Sequence, residues 1–339
     1  MTSHRRFAVP SAVSALLPAA LATLLIGIAH AQGLGTIVGT VTDPSGALVP
    51  GATVRVTDEG TSQSRETTTN AQGYYVFPSL RPSNYSVTVE ASGFAASARR
   101  GVVLQADQVE TLNFAMTMEA ANQAITVEAP VQQVDTSTAT LSEVVDRRRI
   151  VELPLNGRNA ASLALITAGT VLAPASADEG STKTFPVAVT ISANGSRQNQ
   201  AAFRLDGANN NDIYTNVNQP FPFPDAVQEF SVQTSNYSAR YGGNAGGVVN
   251  IVTKSGENQF HGDLFEFVRN SVFNAHDFFA AHTDPLKRNQ FGGTFGGPVT
   301  IPGLYHGKDK TFFFVGYQGT RLRNTALGGK RGSENQSPD

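Results

Sequence analysis

Apolar and polar residues alternate along most of residues 36–118, in short runs that are separated by turn residues. A period of two places Tyr85, Val87 and Val89 on one face of a strand, and Ser86 and Thr88 on the other. Short strands at this spacing predict an antiparallel β-sandwich. The turns fall at Pro44-Ser45-Gly46, Asp58-Glu59-Gly60 and Asn70-Ala71-Gln72-Gly73.

The same stretch resembles the carboxypeptidase regulatory-like domain, and the resemblance implies a transthyretin-like sandwich over residues 32–119. The matching motifs are Gly39-x-Val41-x-Asp43-x-x-Gly46, Pro50-Gly51-Ala52-x-Val54, Asn70-x-x-Gly73-x-Tyr75-x-Phe77-x-x-Leu80, Tyr85-x-Val87-x-Val89 and Gly93-Phe94. Asn70 departs from the family's usual Asp but makes the same kind of turn bond. No His is followed three residues later by Glu, and His-Glu-x-x-His is absent. We therefore expect neither a metal nor another cofactor.

Residues 120–130 follow this domain and contain the β-prone stretch "ANQAITVEAP". No strand of the predicted sandwich is left to pair with it, so it is either a plain linker or a peptide that adds a strand to a partner's sheet. Ile125, Thr126 and Val127 resemble the TonB box of outer-membrane receptors. That resemblance implies the periplasmic energy-coupling protein TonB as the partner.

Residues 131–256 have a mixed pattern. "ATLSEVVD" alternates like a strand, short helices are expected on either side of Pro154 and Gly157, and "FPDAVQEFSVQT" predicts a helical turn and then a strand. The glycines of Tyr241–Gly247 lead into the strand-forming run Val248–Thr253, which argues against a phosphate-binding loop. The stretch from Asp206 has Ala208 where an EF-hand loop needs a side-chain ligand, and Asn211 where it needs glycine, so a turn is the favoured interpretation.

Two longer stretches resemble the plug domain of TonB-dependent receptors: "ISANGSRQNQAAFRLDG" and "DAVQEFSVQTSNYSARYGGNAGGVVNIVTKSG". "LPLNGR" is typical of the Oar-like branch of that family. The resemblance implies a mixed α/β plug over residues 131–256, in which the glycines let the chain pass close to neighbouring backbone. It implies structural roles in the plug for Arg204, Asp206, Gly207, Arg240, Tyr241, Gly242, Gly243, Gly246 and Gly247.

Phenylalanine is concentrated near the C-terminus, with eleven of the 20 between Phe260 and Phe314. "QFHGDLFEFVRN", "NQFGGTFGGPVT" and "TFFFVGYQGTR" are candidate transmembrane strands. The first alternates poorly, so a periplasmic or rim strand is its alternative, and residues 274–281 are expected to form a loop element. Three strands cannot close a barrel of ~22. We expect residues 257–339 to hold the first strands of an incomplete barrel, in the front part of a longer receptor or a truncated reading frame.

Composition and the N-terminus add to this picture. His4-Arg5-Arg6, the apolar run Ala19–Ala29 and Ala29-His30-Ala31 predict a signal peptide over residues 1–31. A membrane anchor is the alternative, but the run is short for ~30 Å of hydrocarbon. Cysteine is absent, which excludes disulfides. Charged residues make up 15% against roughly 25% in typical soluble domains, as a β-rich envelope protein would have.

These observations predict a mainly β, multi-domain protein. The resemblance implies the N-terminal part of a receptor in the outer membrane of a Gram-negative-type bacterium. Its plug would gate TonB-coupled uptake of an unidentified solute, with carbohydrate and peptide as candidates. Membrane lipid is an expected partner of the full-length protein, and nucleic acid is not. The alternative is an exported carbohydrate-binding-like or adhesion module. No nucleophile elbow or cofactor fingerprint points to an enzyme.

Overall fold

The computed structural model describes residues 33–118, 125–128, 140–172, 189–197, 199–273, 275 and 286–323. About half of these residues lie in strands and few lie in helices, which confirms the prediction of a mainly β protein. No helix among them is long and apolar enough to cross a membrane. The predicted signal peptide lies outside the described residues, as do the predicted loop element at 274–281 except residue 275, and the polar stretch after Arg323.

The N-terminal region, residues 33–118, forms two sheets around one core. One sheet has the order β4-β1-β7 with β8 also paired to β1, and the other begins β3-β2-β5-β6. Tyr85, Val87 and Val89 are buried on one face of β5, as predicted. The strands are β1 (Gly35–Thr42), β2 (Thr53–Asp58), β3 (Ser64–Thr68), β4 (Tyr74–Leu80), β5 (Ser83–Glu90), β6 (Ser97–Leu104), β7 (Val109–Thr111) and β8 (Phe114–Ala115).

A ninth strand, β9 (Ile125–Glu128), completes the second sheet by pairing in parallel with β6. The expectation that no strand of this region was left for the segment was wrong. β5 occupies only one edge of β6. The other edge of β6 is available to a further strand, and β9 occupies it. The predicted TonB-box-like segment is therefore an edge strand of the N-terminal region.

The middle region, residues 140–254, is built on a five-stranded sheet of order β10-β15-β16-β13-β14. Helix α1 (Arg147–Glu152) packs on this sheet; the Asp146 side chain accepts a hydrogen bond from the Arg149 N–H and so caps it. Short 3₁₀ turns follow at Asn156–Arg158 and Ala160–Ile166, on either side of the predicted break. The strands are β10 (Leu141–Val145), β11 (Thr170–Leu172), β12 (Ile191–Ala193), β13 (Ala202–Leu205), β14 (Ala208–Asn209), β15 (Val227–Ser235) and β16 (Val248–Thr253).

The C-terminal sheet consists of three long antiparallel strands in the order β17-β18-β21. They coincide with the three phenylalanine-rich stretches, and a small hairpin lies between β18 and β21. The bounds are β17 (His261–Asn270), β18 (Lys287–Pro298), β19 (Thr300–Ile301), β20 (Tyr305–His306) and β21 (Phe312–Arg323).

The poor alternation of β17 has a physical cause. Phe265 and Phe267 point toward the middle region, where they contact the Arg158 guanidinium. Asp263 and Arg269 lie on the same face and also meet polar groups of that region. This strand face packs on both apolar and polar groups, so it carries both aromatic and charged residues. Apolar and polar residues therefore do not alternate regularly along β17.

Candidate functional site

The glycine-rich junction before β16 contains two close approaches to neighbouring backbone. A Cβ at Gly246 would lie 2.7 Å from the Gln200 carbonyl carbon, and one at Gly247 would lie 2.9 Å from the Gln233 oxygen. Gly247 also has a φ of 91°, and Gly243 has 106°. Gly242 has a φ of -53° and ends the 3₁₀ turn at Tyr241. The close passage that the sequence implied is therefore made at Gly246 and Gly247.

Tyr241 lies between the two arginines that the sequence placed in the plug. The guanidinium carbons of Arg204 and Arg240 are each 5.4 Å from its ring centroid, a spacing that allows cation–π attraction. The ring is buried. Three of the predicted site residues thus form one cluster.

Asp206 lies elsewhere, at the tight reversal between β13 and β14. Asp206 and Gly207 have φ values of 51° and 80°, as a two-residue hairpin turn with left-handed backbone requires. The Asp206 carboxylate accepts hydrogen bonds from the Thr253 N–H at 2.8 Å and from the Thr253 hydroxyl at 2.9 Å. It therefore ties this turn to the end of β16.

The turn Gln105–Gln108 between β6 and β7, here called the docking turn, joins the N-terminal region to this cluster. Arg240 Nη1 lies 3.4 Å from the Asp107 carboxylate. Asn250 Nδ2 donates to the other Asp107 oxygen at 3.3 Å. The Ala106 N–H donates to the Glu229 carboxylate, at 3.1 and 3.2 Å from its two oxygens. The docking turn thus contacts both β15 and β16.

The carboxyl group of Glu229 has a raised pKa. Burial raises its pKa to about 7, because the charged form loses its hydration. The Ala106 hydrogen bond opposes this shift, and the nearby Asp107 charge adds to it. The pKa of Tyr241 is raised for similar reasons, burial first and Asp107 second. Sequence reasoning missed both Glu229 and Asp107, since nothing local to either residue signals a contact across 123 positions.

A second polar contact connects the middle region to the C-terminal sheet. Arg158, the last residue of "LPLNGR", forms a buried ion pair with Asp225. Its guanidinium carbon also lies 4.8 Å from the Phe265 ring centroid and 3.9 Å from that of Phe267. Phe223 packs on Phe265 with 5.5 Å between the ring centroids. Arg158 therefore joins two regions through charge and aromatic packing together.

The turn that precedes Arg158 is bound to the same strands. The Asn156 side-chain oxygen accepts from Arg269 at 3.2 Å and from Arg288 at 3.4 Å. Gln290 Nε2 donates to the Gly157 carbonyl at 3.0 Å. A cleft of about 510 Å³ lies between residues 150–158 and strands β17 and β18.

Two parts of the chain match known protein families. Residues 36–117 match the carboxypeptidase regulatory-like domain, and residues 252–330 match an outer membrane beta barrel domain. The TonB-dependent transporter Oar of Myxococcus xanthus is 29% identical over 323 residues, which cover 89% of this chain. The chain is therefore similar to a TonB-dependent transporter of the Oar type. It spans 29% of the length of that curated relative.

Similarity to solved structures is partial. The siderophore receptor PirA of Acinetobacter baumannii is 20% identical with a TM-score of 0.36, covering 48% of this chain and 22% of PirA. Wild-type catechol 1,2-dioxygenase of Acinetobacter radioresistens is 15% identical with a TM-score of 0.20, covering 28% of this chain and 57% of the dioxygenase. At such TM-scores neither likeness supports an argument about activity.

The two family matches bracket the middle region. The first match covers the N-terminal region and ends before β9, and the second begins within β16 and contains the whole C-terminal sheet. The docking turn connects the middle region to its N-terminal neighbour, and Asn156, Arg158 and Gln290 take part in its contacts with the C-terminal sheet.

Proposed function

We propose that this chain is the N-terminal part of an outer-membrane TonB-dependent receptor whose plug gates energy-coupled uptake of a solute. In this proposal residues 1–31 are the signal peptide and 32–119 a transthyretin-like sandwich. Residues 120–130 hold the coupling segment, 131–256 form the plug, and 257–339 contain the first strands of the barrel. The similarity to Oar over 89% of the chain supports this assignment.

The two faces of the C-terminal sheet carry the proposal. Its outer face exposes apolar side chains, with Leu264, Val315 and Tyr317 at 94%, 61% and 65% exposure. Its inner face is covered by the middle region, and Gln290 and Thr294 are buried there. A barrel wall that separates lipid from a plug needs an apolar outer face and a polar inner face.

Within the plug, we assign structural roles to the residues that the family resemblance indicates. Arg204, Tyr241 and Arg240 would stabilise the part of the plug that contacts the docking turn. Asp206 would stabilise the end of β16 through its hydrogen bonds to Thr253. Ile125, Thr126 and Val127 would bind TonB through main-chain hydrogen bonds, as strand addition requires. Carbohydrates and peptides are the candidate solutes.

The alternative of a carbohydrate-binding or adhesion module is not favoured. Such a site needs a platform of exposed aromatic side chains, and Tyr75 and Phe77 are instead buried in the core of the N-terminal region. The curated relative is a transporter, and we propose no catalytic activity for this chain.

A binding experiment tests the coupling role. The full chain would be purified from outer membranes and titrated with the periplasmic C-terminal domain of TonB. Val127→Pro removes a main-chain N–H and is expected to abolish binding. Val127→Thr keeps the donor and the β-branched shape, so it should bind as the native chain does. Recovery of the native protein in the soluble periplasmic fraction, or equal binding by both variants, would contradict the proposal.

A further inference from the structure

Strand β9 is the outermost strand of the five-stranded sheet, whose order is β3-β2-β5-β6-β9. Residues 125–128 pair in parallel with residues 97–100 of β6. Every strand has two main-chain edges, and β6 takes one edge of β9. Among the strands that the structure describes, none pairs with the other edge, which lies at the end of the sheet and offers N–H and C=O groups to a strand from another chain.

We propose that the N-terminal region presents the coupling segment to its partner. TonB would add a strand to the outer edge of β9 while β9 stays paired with β6. The N-terminal region would then form part of the TonB-binding site. This inference rests on the proposed function, and it identifies which surface receives the partner.

Pre-ordering gives this arrangement an energetic advantage. Fixing the backbone of a flexible segment costs conformational entropy, and pairing with β6 already fixes residues 125–128. A partner strand that adds to an ordered edge avoids this cost and binds more tightly than it would to a free peptide.

The chain before β9 is also held close to β6. Phe94 and Met118 form a β-bridge, and the Ala95 N–H donates to the Thr117 carbonyl at 2.8 Å. Thr117 and Met118 are therefore held beside the residues that lead into β6. A short tether gives an effective concentration of the order of millimolar, which favours the pairing of β9 with β6.

A disulfide lock can test whether β9 stays in place when TonB binds. Arg100 and Glu128 are register partners, and the chain has no native cysteine. Arg100→Cys with Glu128→Cys would join the strands and leave Ile125, Thr126 and Val127 unchanged. Neighbouring strands lie about 4.8 Å apart, which is within the Cα separation that a disulfide spans. Arg55→Cys with Thr88→Cys is the matched control, since it joins β2 to β5 in the same sheet.

The full chain in detergent would be titrated with the TonB periplasmic domain in its oxidised and reduced forms. We expect the lock to form readily and the oxidised chain to bind within about threefold of the reduced chain. The control pair should also bind equally in both forms.

Three results would overturn the inference. Failure of the lock to form would mean that β9 is not held on β6. A loss of more than about tenfold on oxidation, absent from the control, would mean that β9 must leave β6 before TonB binds, while the proposed function would stand. No binding by either form or by the native chain would instead remove the proposed coupling role, and the inference with it.

Discussion

The N-terminal region and the C-terminal sheet use the same two-residue alternation with opposite orientation. In the N-terminal region the large apolar residues of alternating positions point inward, so that Phe77 and Val87 are buried. In the C-terminal sheet the residues that face the rest of the protein include Gln290 and Thr294, and Val315 points outward. Alternation alone therefore does not tell which face of a strand meets water. The neighbouring environment decides it, and here we propose water for one region and lipid for the other.

Truncating a core phenylalanine should separate the two regions most clearly. Phe77→Ala should lower the free energy of unfolding by about 3–5 kcal/mol, because it leaves a cavity in a closed core. Phe295→Ala should cost much less, since Phe295 is 51% exposed on the outer face. Urea titration of the protein folded into phospholipid vesicles measures both values. Equal costs would contradict the contrast between a closed core and an open face.

The inner face of the C-terminal sheet should depend on Arg158. Arg158→Ala leaves the Asp225 carboxylate buried without its partner, and should lower the free energy of unfolding by roughly 3–5 kcal/mol. Arg148→Ala is the control, because Arg148 pairs with Glu152 at an exposed position and its loss should cost less than about 1 kcal/mol.

A double variant sharpens this prediction. Arg158→Met with Asp225→Leu removes both charges together, so it should recover most of the stability lost by Arg158→Ala. If the double variant were less stable than Arg158→Ala, desolvation of Asp225 would not be the cause of the loss.

Two exposed valines allow a direct comparison of the outward surfaces. Val315→Arg should destabilise the protein by about 2–4 kcal/mol if its site lies near the bilayer midplane. Val76, which is 42% exposed on β4, faces water in this account, so Val76→Arg should change stability by no more than about 0.5 kcal/mol. The same urea titration measures both. Similar effects of the two substitutions would place the two surfaces in the same solvent.

The contact between the N-terminal and middle regions should respond to pH through Glu229. The folded pKa of Glu229 lies above its ordinary value of 4.5, at about 7, so the folded state binds the proton more tightly than the unfolded state. Stability should therefore fall as pH rises from 4.5 toward 7 and then level off, with a loss of about 1 kcal/mol between roughly pH 6 and pH 8. Thermal unfolding across this range measures it.

Substitution isolates the contribution of Glu229. Glu229→Gln should flatten the pH dependence, because the amide does not titrate in this range. Glu66→Gln, at an exposed strand position, should leave the dependence as it is in the native chain. A native slope of opposite sign, or one unchanged in Glu229→Gln, would show that Glu229 does not carry the effect.

Local pattern was enough to predict most strands, because alternation and turn residues are properties of a few adjacent positions. β5, β16 and the three strands of the C-terminal sheet lie where the sequence placed them. Gly246 and Gly247 could be anticipated too, since a glycine cluster before a β-branched strand indicates close backbone passage.

The missed features all depend on partners far away in the chain. Glu229 is buried by the docking turn, and the pairing of β9 with β6 requires knowing that this edge is open. The poor alternation of β17 became interpretable only with Arg158 beside Phe267. Burial of both faces of a strand and parallel edge pairing are tertiary properties, and period-two patterns do not encode them.

The most direct test of the central claim uses the absence of tryptophan from the chain. A single tryptophan would be placed either outward, by Tyr317→Trp, or inward, by Phe314→Trp, in protein folded into vesicles of brominated phosphatidylcholine. Tyr317 is 65% exposed on the outer face, and Phe314 stacks on His261 at the inner face. A lipid-facing outer surface predicts strong bromine quenching of the tryptophan at 317 and little at 314. Equal quenching at both positions, or none at 317, would contradict a lipid-facing outer surface.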